Sequence, residues 1–137
     1  MFSSGRDHLG ASGGRLSGCL KSPNCVSTQA TDVGHQIAPL PFEGAAEDAM
    51  DLIILVATKM RGLTLVLRKG RYLHFECRSR LFGFIDDLEF FIEPNGHEIQ
   101  IRSASRLGYS DFGVNRARVK KIRQAFTAGA GLFPDHR

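Results

Sequence analysis

The stretch Phe84-Ile85-Asp86-Asp87-Leu88-Glu89-Phe90-Phe91-Ile92-Glu93-Pro94-Asn95-Gly96-His97-Glu98-Ile99-Gln100-Ile101-Arg102-Ser103 decides the fold. Runs of alternating apolar and polar residues flank Asn95-Gly96, the strongest short hairpin signal, because both residues accept the positive φ of a tight turn. A turn there predicts strands over Phe84–Glu93 and His97–Ser103, with paired residue numbers summing to 191. Ile92 then meets Ile99, Phe90 meets Ile101 and Leu88 meets Ser103 on the core face. The opposite face carries Asp87, Glu89 and Phe91 against Gln100 and Arg102, with Glu89 directly across from Arg102. Such cross-strand pairs are ordinary sheet stabilisers worth ~0.2–1 kcal/mol. Alternation sends Asp86 to the core face near Ser103 and Ser105. A buried carboxylate must be hydrogen-bonded or paired, and Ser105 or Arg106 is the expected partner.

Outward from this hairpin, Leu63–Arg68 and Arg71–Ser79 flank Lys69-Gly70, which predicts a second hairpin with a two-residue turn. Before it, Ala49, Ile53, Val56 and Met60 repeat at helical spacing and predict a core-facing helix over about Ala45–Arg61, stopped by Gly62. Glu47, Asp48 and Asp51 at its start and Lys59 and Arg61 at its end complement the helix dipole. A closing helix is expected over about Phe112–Phe126, capped by Asp111 or Ser110. The first 43 residues hold Gly5, Gly10, Gly13, Gly14, Gly18, Gly34, Pro23, Pro39 and Pro41 without apolar periodicity, the pattern of an extended, turn-rich arm. The expected fold is α+β: a four-stranded antiparallel sheet of two hairpins, covered on one face by an N-terminal and a C-terminal helix. It forms a single domain over 1–137, with the arm at 1–43, the core at 44–127 and a tail at 128–137.

Composition agrees with a compact module. The chain has 137 residues, 42% hydrophobic and 23% charged, which excludes a disordered tail protein, a collagen or a coiled coil. Three cysteines cannot all pair with one another, which argues against a disulfide scaffold. The longest strongly apolar run, Leu52–Val56, falls far short of the ~20 residues of a membrane span. Leu16-Ser17-Gly18-Cys19 spells a lipoprotein cleavage box but lacks the apolar stretch such processing requires upstream. The expectation is a cytoplasmic protein with free thiols, unless one pair is redox-active.

Three blocks go beyond pattern: Cys19-Leu20-Lys21-Ser22-Pro23-Asn24-Cys25-Val26-Ser27, Leu81-Phe82-Gly83-Phe84-Ile85-Asp86-Asp87-Leu88-Glu89-Phe90, and Arg102 through Arg116. Together they resemble the family described as domain of unknown function 1499, found in bacteria and photosynthetic eukaryotes. The match runs from about Gly10 to Arg123 and departs at Leu20, where the family pattern has proline. The resemblance implies a short soluble member of cyanobacterial type, with a plastid location as the alternative to the cytoplasm. It implies no activity, cofactor or partner.

The block from Arg102 to Arg116 carries the main candidate site. Backbone N–H groups at a helix start make an anion site, and here Arg102, Ser103, Ser105, Arg106, Tyr109, Ser110 and Arg116 surround one. The competing structural reading pairs Arg102 and Arg106 with Asp86, Asp87 and Glu89, an ion-pair lock between strand and helix. Arg116, Arg118, Lys120, Lys121 and Arg123 give the closing helix a basic face, but the aromatics match no base-stacking platform, which argues against nucleic acid. Cys19 and Cys25 could form a disulfide, a redox pair or part of a metal site with His74 and Cys77. Their five-residue gap is wrong for zinc, and packing as small hydrophobes is the stronger reading. Gly10-Ala11-Ser12-Gly13-Gly14 matches a nucleophile elbow only by accident, because no strand precedes it. His35 and His74 are the histidines nearest candidate sites, and a satisfied polar face suits His74 better than a general base.

Two functional readings compete. The first is a non-enzymatic module that binds an anionic small molecule or a protein partner at the arginine-rich helix start, with no cofactor and no metal. The second is an enzyme using Asp86 or Asp87, with His74 a weaker candidate, against Arg102 or Arg106. A carboxylate beside arginine has a lowered pKa and is a poor acid at neutral pH, which favours the first. A scaffold or assembly role in photosynthetic cells rests on the resemblance alone.

Overall fold

A computed structural model describes residues 9–19, 24–78, 83–107 and 113–129. A short hairpin of β1 (Ala11–Ser12) and β2 (Arg15–Leu16) is followed by β3 (Cys25–Ser27) and β4 (Leu40–Pro41). Helix α1 (Ala46–Thr58) leads into β5 (Leu63–Lys69), β6 (Tyr72–Arg78), β7 (Ile85–Phe91) and β8 (Glu98–Ser105), and helix α2 (Val114–Gly129) closes the chain. The class is α+β, and the main sheet is antiparallel in the order β3-β8-β7-β6-β5. None of the helices in the described residues is long and apolar enough to cross a membrane.

The expected four-stranded sheet has six strands. The extra two come from the arm: β3 and β4 both pair with the outer edge of β8, Val26 opposite Ser103 and Leu40 opposite Ile99. The last strand of the second hairpin had an open row of backbone groups, and the arm satisfies it. Strands of two or three residues carry no readable alternation, so the arm looked structureless in sequence.

The register of β7 on β8 follows the sum of 191, with Phe90 opposite Ile101, Leu88 opposite Ser103 and Glu89 opposite Arg102. The connection differs from a two-residue Asn-Gly turn. Glu93 to Gly96 forms a four-residue turn in which the Gly96 amide donates to the Glu93 carbonyl at 2.8 Å. Asn95 is the residue with positive φ, +63°, and Pro94 precedes it, the arrangement of a type II turn. In the first hairpin the turn is Gly70-Arg71 rather than Lys69-Gly70, with Lys69 opposite Tyr72. Gly70 has φ +57°, and a left-handed glycine belongs at the first central position of a type II′ turn. The pairing shifts between Leu65 and Leu67, a bulge at Val66 on the free edge of the sheet.

Alternation gives each strand two faces. Leu73, Phe75, Leu88, Phe90 and Ile101 are fully or almost fully buried toward the helices, together with Met50, Ile53 and Ile122. Phe75 and Phe90 meet edge-on at 5.8 Å between ring centroids. Helix α1 ends at Thr58, earlier than expected, so Gly62 is not its immediate stop. Gly62 has φ +82°, accepts the Arg78 amide at 3.0 Å, and lies where an added Cβ would stand 2.6 Å from the Arg78 carbonyl oxygen. Gly62→Ala should therefore lower stability by about 1–3 kcal/mol in urea unfolding. Gly70→Ala is the control: its Cβ meets nothing within 4 Å, so it should lose less.

Candidate functional site

On the face away from the helices, alternation brings up Tyr72, His74 and Glu76 from β6, Asp87 and Glu89 from β7, and Arg102 from β8. Arg106, just past β8, reaches back over the same face. This surface is buried: Glu89 is 0% exposed, and Asp87, His74, Arg102 and Tyr72 are all below 10%. The arm is part of the cover, since the Gly10 amide donates to Glu89 Oε2 at 2.8 Å and to the Tyr72 hydroxyl oxygen at 3.1 Å. Leu16 of β2 is buried as well.

Two linked groups result. Glu89 accepts from the Tyr72 hydroxyl at 2.5 Å, from Arg102 Nη1 at 3.1 Å and from Gly10. Asp87 contacts His74 Nε2 at 2.7 Å and accepts from Arg106 Nε and Nη2, both at 2.8 Å. Arg106 Nη2 also donates to Glu76 at 2.7 Å. Burial alone would raise the Asp87 carboxyl, but hydrogen bonds from Arg106 and His74 outweigh it and hold the group at about 2. Burial, reinforced by Glu89, pushes the Tyr72 phenol well above its ordinary range. The hydrogen bond to Asp87 raises Arg106 further, so its charge is permanent. His74, Glu76 and Asp87 offer ligand atoms within 4.8 Å of one another, and Arg106 already bridges two of them.

A third polar group lies on the helix face. Asp86 pairs with Arg118 Nη2 of α2 at 2.7 Å, not with Arg106 or Ser105. Arg118 Nη1 donates to Ser103 Oγ at 3.1 Å and Asn115 Oδ1 at 2.7 Å. Asn115, fully buried, donates to Ser105 Oγ at 3.0 Å and the Asn24 carbonyl at 3.1 Å. This island pins the start of α2 to the end of β8.

The seven residues expected to surround one ligand are therefore divided by the sheet. Arg102 and Arg106 face the arm, while Ser103 and Ser105 bond toward α2. Arg116 donates to the carbonyls of Gln36 and Gly34, both at 3.1 Å. Tyr109, Ser110 and the expected cap Asp111 lie outside the described residues. The basic face of α2 is largely spent on structure, because Arg123 donates to the carbonyls of Pro39 and Ala38 and Arg118 is buried. His74 and Cys77 sit on opposite faces of β6, as a spacing of three requires, which ends the tetrad reading. Cys77 is buried, and burial raises its thiol pKa. Cys19 and Cys25 are bonded, with an S–S distance of 2.07 Å, rather than packed as separate thiols. His35 contacts Asp32 at 2.5 Å in a surface turn.

Sequence reasoning missed Tyr72, Asn115 and Arg118 as members of these groups. The alternation of Tyr72, His74 and Glu76 was visible, but nothing local showed that Gly10 of the arm lies over Tyr72 and Glu89.

Asp87 has a folded value of about 2 against an ordinary 3.8, so its contribution is present above the ordinary value and fades as pH falls toward 2. Wild-type protein should lose an extra ~2 kcal/mol of urea stability across that window. Asp87→Asn should be weaker at neutral pH and lack this part of the acid limb. On the other face, Arg118→Met leaves Asp86 buried and unpaired and should cost about 3 kcal/mol. Adding Asp86→Asn to that variant should recover part of the loss, measured as a double-mutant cycle.

The model of the family described as a protein of unknown function (DUF1499) matches residues 15–126. No curated protein and no solved structure matches the chain. With most of its length covered, including the main sheet, α1, most of α2 and the paired arginines, the chain belongs to the DUF1499 family.

Proposed function

We propose that the chain is a non-enzymatic module that binds a protein partner at the end of the sheet where the last helix starts. The supporting observation is the exposure of three apolar side chains: Phe84 is 56% exposed, Leu107 52% and Val114 48%. The 191 register carries Phe84 opposite Leu107, and the Arg106 amide bonds the Ile85 carbonyl at 3.2 Å between them. Val114 begins α2, which Asn115 ties to Ser105 at the same end. Apolar exposure that includes an aromatic ring fits the anchors of protein interfaces.

Charge balance favours this over the anionic small molecule. Glu76, Asp87 and Glu89 set three carboxylates against the two guanidiniums of Arg102 and Arg106, so an anion would have to displace a carboxylate to enter. The enzymatic reading is disfavoured by Asp87, which at about 2 has no proton to give at neutral pH. Compartment and the scaffold role remain part of the proposal: a partner-binding module suits an assembly factor.

Affinity capture from native cells tests the reading. One protein should be retained by wild type and by the control Leu55→Ser, an exposed position on α1, and lost about tenfold or more by Phe84→Ser/Leu107→Ser. Equal capture by all three proteins overturns it. A thermal shift with phosphate or citrate that disappears in Arg106→Gln would also overturn it, in favour of the anion.

A further inference from the structure

The cover over the charged sheet face is joined to the sheet by a bond that can be opened chemically. Cys19 lies three residues beyond β2 and is half-buried; Cys25 is the first residue of β3, buried and opposite Ala104. Ala104 shares its face of β8 with Arg102, so the disulfide sits on the side that the arm covers.

Besides that bond, a few hydrogen bonds hold the cover among the described residues. The Leu16 amide donates to Gln29 Oε1 at 2.8 Å, Arg15 Nη2 to the Gln29 carbonyl at 3.0 Å, and Gln29 Nε2 to the Gly14 carbonyl at 3.3 Å. Gly10 adds its bonds to Glu89 and Tyr72, and Leu16 is the buried side chain among residues 9–19. Each of these hydrogen bonds exchanges for water on opening. Beneath the cover lie Glu89, Arg102 and Tyr72, groups that gain hydration when uncovered. The apolar core is on the other face, between the sheet and the two helices, and among the described residues none of 9–19 belongs to it. Opening the cover therefore exposes a polar surface without dissolving the fold.

We propose that Cys19–Cys25 is a redox-modification site whose reduction by a dithiol releases the cover at residues 9–19 and uncovers the Tyr72–Glu89–Arg102 group. A thiolate of the dithiol attacks Cys19 Sγ, the more accessible sulfur. The S–S bond breaks and its electron pair leaves on Cys25 Sγ, which takes up a proton. The second thiol of the reductant then displaces Cys19 Sγ, which is protonated in turn. The reductant departs as a cyclic disulfide, having delivered two electrons and two protons.

Amide hydrogen exchange on the full chain tests this, comparing the oxidised protein, the protein in dithiothreitol, and Cys19→Ser/Cys25→Ser. Reduction should speed exchange at Gly10 and Leu16 about tenfold or more, with β6 and β7 amides unchanged. The double variant should match the reduced protein without reductant. Unchanged rates at Gly10 and Leu16 overturn the proposal. Acceleration throughout β6 and β7 also overturns it, because the disulfide would then hold the whole fold. Failure of dithiothreitol to open the bond in the folded chain does the same.

Discussion

Strand β7 buries carboxylates on both of its faces, and this constraint organises the molecule. Asp86 points toward the helices while Asp87 and Glu89 point toward the arm. None can stay ionised in a low-dielectric interior without a partner that brings both charge and hydrogen bonds. Three arginines supply them. Arg118 comes from α2, Arg102 from the neighbouring strand, and Arg106 from the segment just beyond it. The positions of α2, β8 and the segment beyond it are thus set by where three guanidiniums must reach.

Pairs of this kind are poor sources of net stability, because desolvation offsets most of the attraction. They discriminate well between arrangements. A one-residue slip of β7 would turn Asp87 and Glu89 into the apolar layer and Leu88 and Phe90 out under the arm. Every carboxylate would then lose its arginine, and Phe75 its edge-on partner. The apolar core sets how strongly the sheet and helices associate; the charged pairs fix the register in which they do so.

How much of this was legible follows from distance along the chain. The β7–β8 register and the Glu89–Arg102 pair could be read because both lie within one hairpin, where alternation and a turn signal suffice. The turn itself was misread: Pro94 and Asn95 take the central positions, yet the longer connection keeps the same register. The partner of Asp86 could not be found locally. Arg118 is 32 residues away, on a helix whose basic residues looked like a solvated face. The burial of Tyr72 and Glu89 was hidden for the same reason, since Gly10, whose amide bonds both, lies 62 residues upstream of Tyr72. β3 and β4 were hidden for another, being too short to show a period.

The segment from Gly34 to Pro39 is strapped to α2 in a different manner. Arg116 and Arg123 reach its backbone carbonyls, at Gly34, Gln36, Ala38 and Pro39. A carbonyl is present whatever residue carries it. The strap can therefore drift in sequence while its attachment survives, provided its path is kept. The two arginines have no such latitude, because each spans two acceptors with one planar fork and a lysine would hold its ammonium as a single point. Evolutionary freedom on one side of this contact is matched by rigidity on the other.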